Sequence, residues 1–139
     1  MFSFLKIIAK INKNKSITDY NKNLQMNERV EGGYRVRMGF GLHQGWAIEG
    51  AIGSYFKIDA SYLSPNVNLA SRLEAATKQY QVPILISGNL QSIFNERVGQ
   101  FCREIDIVTV KGSIKPIKLF TIDLNLDLEP FEEKNYTTK

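Results

Sequence analysis

Apolar positions recur in a regular way from residue 35 to residue 124, and the interval changes along the stretch. In RVRMGFGL, Val36, Met38, Phe40 and Leu42 alternate with glycine or polar positions, which predicts a strand with one buried face. His43-Gln44-Gly45 turns the chain, and WAIEGAIG reads as a second strand, so the two are expected to pair as a hairpin. Gly39, Gly41, Gly45, Gly50 and Gly53 punctuate this region, a density that points to close backbone approach or bulges. Residues 55 to 64 read as a polar loop with aromatic interruptions. Ser64 then suits an N-cap and Pro65 a first helical turn. The helix is expected to run to about Tyr80, with Val67, Ala70, Leu73 and Thr77 on one face. Pro83 stops it. PILIS reads as a short buried strand, and Ser87 as the cap of a second helix, LQSIFNERV, with Leu90, Ile93 and Phe94 inward. REIDIVTVKG and KPIKLFTIDL complete the pattern as two strands joined by a turn at Gly112-Ser113.

The ends are different. MFSFLKIIAK resembles a signal peptide only faintly, because Lys6 and Lys10 interrupt the apolar stretch and no small-residue cleavage site follows. It reads as the start of an amphipathic helix, followed by an Asn- and Lys-rich connector and a breaker at Glu31-Gly32-Gly33. Three segments follow from this: residues 1–34 as helix and connector, 35–125 as the folded part, and 126–139 as an acidic flexible tail. The order of strands and helices implies an α+β fold with helices packed on a sheet.

Composition narrows the field. A hydrophobic share of 43% suits a globular chain with a core. No apolar run approaches the roughly 20 residues of a membrane-spanning helix. One cysteine, Cys102, rules out an internal disulfide and fits an intracellular setting, and with one histidine it leaves no four-ligand zinc site. The net charge is +4, but Lys6, Lys10, Lys13, Lys15 and Lys22 precede the folded part while Asp123, Asp127, Glu129, Glu132 and Glu133 follow it. That distribution reads as solvated ends, and no nucleic-acid partner is expected.

Four fragments occur in order: RMGFGLHQGWAIEGAIGS, NVNLASRLEAATK, PILIS and VKG. Together they resemble the C-terminal half of class III adenylate/guanylate cyclase catalytic domains, and KIDASYLSPNVN resembles the protist branch. The resemblance runs from about Arg35 to Asp123. It implies a partial ferredoxin-like nucleotide cyclase fold, with an antiparallel or mixed sheet and helices on one face. It also implies head-to-tail pairing of two domains with active sites between them. The family's reaction is in-line attack of a ribose 3′-hydroxyl on the α-phosphate. Two metals assist it, and fixed donors stabilise the charge on the phosphoryl oxygens.

By this resemblance Asn68 would orient the ribose and Arg72 would contact the α-phosphate, the two lying one turn apart on one helix face. Lys111, in VKG, would hold the triphosphate, and Ser61 falls where the family reads the purine. The family's glycine before this helix is Ser64 here, followed by Pro65, which stiffens the helix entrance. His43 belongs to the strand in this comparison and is not the catalytic base. Its flanking glycines do not make a dinucleotide fingerprint, because a strand follows them where that fold needs a helix. The two motifs that carry the family's metal-binding aspartates do not occur: Asp19 lacks the strand before it, and Asp59 lies later. The expectation is therefore a chain that binds no metal alone, with magnesium or manganese and ATP or GTP bound only in a composite site. The expected role is a dimerisation or docking module, inactive by itself. Its partner is another cyclase-type domain, as homodimer or heterodimer, or a larger scaffold, ciliary or membrane-associated. The second reading has it supply Asn68 and Arg72 to a composite adenylate or guanylate cyclase site. A basic nucleic-acid- or membrane-surface-binding module ranks last.

Overall fold

The computed structural model describes residues 2–30, 33–34, 36–109 and 115–124. These fall into two units: one takes in the described residues up to Met38 together with Leu124, the other those of Gly39–Asp123.

The N-terminal unit opens with α1 (Phe2–Lys13), whose basic last turn holds Lys10 and Lys13. The Asn-rich stretch after it, expected to be an irregular connector, is instead ordered by its asparagines. The Asn14 side chain accepts from the main-chain N–H groups of Ser16 and Ile17 and starts α2 (Lys15–Thr18). Asn23 does the same for Gln25 and Met26 at α3 (Leu24–Asn27), with a 3-10 turn (Asp19–Lys22) between. Asparagine is among the best N-caps, so each one satisfies donors that a helix start leaves orphaned.

The second unit holds a four-stranded sheet, ordered β1-β4-β6-β5, and a separate two-stranded one. Strand β1 (Phe40–Leu42) pairs in parallel with β4 (Ile84–Ser87). β4 pairs antiparallel with β6 (Ile117–Ile122), and β6 with β5 (Cys102–Val108), which carries a bulge between Glu104 and Asp106. The mixed sheet with α4 (Pro65–Tyr80) packed on it is the expected α+β architecture. The core forms where Leu73 of α4 meets Leu85 and Leu119 on the sheet, all nearly inaccessible. Ile84, Ile86 and Phe120 of the same strands are buried as well.

Three expectations need correction. β2 (Ile48–Ser54) does not pair with β1; it pairs with β3 (Lys57–Leu63), formed from residues that read as a loop. The turn lies at Tyr55-Phe56, and the Ile58-Ala60-Tyr62 alternation is masked by Asp59 and Ser61 on the other face. The second helix is broken into α5 (Gly88–Gln91) and α6 (Glu96–Gly99), because Asn95 starts a new turn by accepting from the Val98 N–H. Ile93, in the gap, is exposed rather than inward. The turn at Gly112-Ser113 lies outside the described residues.

Two glycines of the β1 segment set how closely α4 approaches. A Cβ on Gly41 would overlap the Ala70 carbonyl and the Glu74 amide, and one on Gly39 would overlap the Thr77 side chain. Helix and strand thus touch backbone to backbone.

Candidate functional site

The first turn of α4 is built from three elements. Ser64, buried and extended, accepts at Oγ from the Asn66 N–H (3.0 Å) and donates its own proton to the Trp46 carbonyl (2.6 Å). The Asn66 side-chain amide donates to the same carbonyl (2.9 Å). Gly45 lies so close to the Asn66 side chain that any Cβ there would overlap it. His43, just after β1, lies between Asn66 Oδ1 (Nε2, 3.1 Å) and Ser87 Oγ (Nδ1, 2.7 Å). His43 is therefore a structural bridge, as its strand position suggested. Its partners lie 44 and 23 residues away, and no local pattern connects them.

Asn68 and Arg72 follow on α4, both exposed and one turn apart. Asn68 is fixed at the main chain by its N–H to the Ser64 carbonyl (3.3 Å). Ser61 lies in β3, not in a loop, directly opposite Gly50. Cross-strand partners share a face, so Ile48 with Leu63 and Ile52 with Asp59 flank the Ser61 hydroxyl. No atom lies within 4 Å of a Cβ built on Gly50, so the floor between these side chains is open. Lys111 lies outside the described residues.

The far end of α4 is tied to the sheet. The Tyr80 hydroxyl donates to Asp106 Oδ2 (2.6 Å), and Asp106 Oδ1 accepts from the Ile107 N–H (2.7 Å). These bonds, the Tyr80 one first, hold the Asp106 carboxyl below its ordinary range, and the bond to Asp106, with burial, pushes the Tyr80 phenol up. On the neighbouring strands Arg103 grips Asp123 with two nitrogens (2.6 and 2.7 Å), which lowers that carboxyl too.

The resemblance implies metal ions, and the carboxylates among the described residues do not gather to hold them. Among the described residues no three His, Cys, Asp or Glu side chains gather where they could hold a metal. Asp59 pairs with Lys57 (3.1 Å) in the hairpin, and Asp19 with Lys22 (3.4 Å) in the N-terminal unit. Also among the described residues, no helix is long and apolar enough to cross a membrane.

The chain is similar to known proteins over most of its length. An adenylate cyclase of Anabaena cylindrica is 30% identical over 115 residues, which is 82% of this chain and 23% of that protein. The terminal-differentiation-specific adenylate cyclase of Dictyostelium discoideum is 33% identical over 88 residues, 63% of this chain and 4% of that protein. The chain thus spans about a quarter or less of the length of these relatives. A solved bacterial light-regulated adenylyl cyclase superposes with a TM-score of 0.52 at 27% identity, covering 78% of this chain and 31% of that one. The family pattern described as adenylate and guanylate cyclase catalytic domain matches residues 2–123, so α1 falls inside a match that the motifs alone began at Arg35. This chain belongs to the adenylate and guanylate cyclase catalytic domain family.

Proposed function

We propose that this chain is a pairing domain of the cyclase family: it makes no cyclic nucleotide by itself and docks on a second cyclase-type domain through the β2–β3 hairpin. The observation that carries this is the hairpin's surface. Ile48, Ile52, Tyr55, Phe56, Tyr62 and Leu63 are all exposed, and Tyr55 and Phe56 at the tip retain 96% and 93% of their accessible area. Large apolar side chains gathered on one projecting element mark an interaction surface. Covering each is worth about 1.5–3 kcal/mol before the costs of association.

A second reading is favoured by the outward presentation of Asn68 and Arg72 from a well-capped helix start. In it the chain also lends these two residues, with Lys111, to a composite centre whose partner holds the metal-binding carboxylates. Arg72 would meet the α-phosphate with a planar fork that stays charged, and Asn68 would orient the ribose. Ser61, between Ile48, Leu63 and Ile52, would border the purine. The relatives are adenylate cyclases by name, which favours ATP.

The test is reconstitution. Mixed with a cyclase-type domain that carries the aspartates but lacks the arginine, plus manganese–ATP, the chain is expected to form a complex and restore cyclic AMP formation. Arg72→Ala is expected to abolish that activity and leave the complex intact. A complex without activity leaves only the docking role, and no complex refutes the proposal.

A further inference from the structure

The hydrogen bonds around His43 can be followed proton by proton. Asn66 spends its side-chain donor on the Trp46 carbonyl, so Asn66 Oδ1 is the atom that faces His43 Nε2, and Nε2 must donate. On the other side of the ring, Ser87 is wholly inaccessible, and its Oγ accepts from the Leu90 N–H (3.4 Å). Its own proton has one acceptor among the described residues, His43 Nδ1. A buried hydroxyl left without an acceptor is costly, so Nδ1 must accept. One tautomer, with the proton on Nε2, satisfies every group in the chain of bonds from the start of α5 to the start of α4.

We propose that His43, in this tautomer, is a positioning residue: it ties the first turn of α4 to the end of β4 and so sets where Asn68 stands relative to Arg72, which the glycine contact locates. The proposal rests on the half-site reading of those two residues. The middle of α4 is located by its contact with Gly39 and Gly41, through Ala70, Glu74 and Thr77. Nothing in that contact fixes the helix start, where Asn68 lies. There the polar side-chain ties come from Ser64 and, through Asn66, from His43, while Leu69 packs against the core one residue beyond Asn68. A misplacement of about 1 Å in a substrate-holding group costs on the order of 10²-fold in rate, so a helix start that is folded but loose would be catalytically poor.

The chain has one histidine, which makes the test clean. In the full chain labelled with nitrogen-15 histidine, the ring is expected to show a protonated Nε2 and a bare, hydrogen-bonded Nδ1. The opposite tautomer, or a freely exchanging ring, overturns the proposal. In His43→Gln, amide hydrogen exchange at Asn66, Val67 and Asn68 is expected to accelerate while Thr77 to Tyr80 remain protected. In the reconstituted pair, kcat is expected to fall about tenfold or more with KM within about twofold, the signature of lost positioning rather than lost binding. Unchanged exchange, or unchanged kcat in an active pair, overturns it. Should His43→Gln not fold, Asn66→Ala removes the acceptor from the other end and must loosen the same amides; if it does not, the proposal fails. An inert wild-type pair refutes the half-site reading alone, and the tautomer and first-turn exchange then decide whether His43 positions the helix.

Discussion

Glycine in this chain means different things at different positions, and the structure separates them. Gly41 faces the backbone of α4 so closely that a methyl group has nowhere to go, whereas Gly50 faces open space. Gly41→Ala should therefore push helix and strand apart and cost about 1–3 kcal/mol, the usual penalty for overpacking. Gly50→Ala should stay within about 0.5 kcal/mol of wild type. Urea unfolding of the two variants side by side checks both. The glycine-rich pattern revealed that close approach occurs somewhere between residues 39 and 53. It did not reveal which glycines make it, because the partner atoms sit on a helix some 30 residues further along. His43 is similar: its place at the end of a strand was legible, and its distant partners Ser87 and Asn66 were not.

At the scale of elements, legibility followed the strength of local signals. The helix from Pro65 to Tyr80 was readable end to end, since Ser64 and Pro65 mark its start and the apolar stripe its length. The buried strand at PILIS was equally plain. The β2–β3 hairpin was misread because its faces are nearly all exposed, so no buried stripe distinguishes strand from loop. The short helices after α1 were missed because their signal is a single asparagine each. The ties across the β5–β6 edge are also beyond sequence, and they give a pH dependence. The Arg103 guanidinium holds the Asp123 carboxyl below its ordinary value of 3.8. A lowered carboxylate contributes stability that is fully present above the unfolded-state value and lost as pH falls through the folded one. The pair is exposed, so the contribution is small. Wild type should exceed Asp123→Asn in urea midpoint at neutral pH, and the gap should close below pH 3.8, as denaturation across an acid pH series would register.

For the whole molecule, the projecting apolar hairpin is the feature that a monomer explains least well. Replacing Tyr55 and Phe56 together by serine removes the two most exposed large side chains of the arm. The double variant should melt within a few degrees of wild type, because neither ring is packed in the unit's core. Its association with a cyclase-type partner should weaken at least about tenfold, which sedimentation or titration calorimetry measures directly. Equal affinity would show that the partner sits elsewhere.

The hairpin ends at Leu63 and α4 begins at Pro65, with Ser64 alone between them. That single residue is buried and hydrogen-bonded to Trp46, on the chain leading into the other strand of the arm. Mechanically, the arm is a lever with its fulcrum at the foot of the helix. A load applied at the tip would reach the foot of the helix through Ser64 and its bond to Trp46.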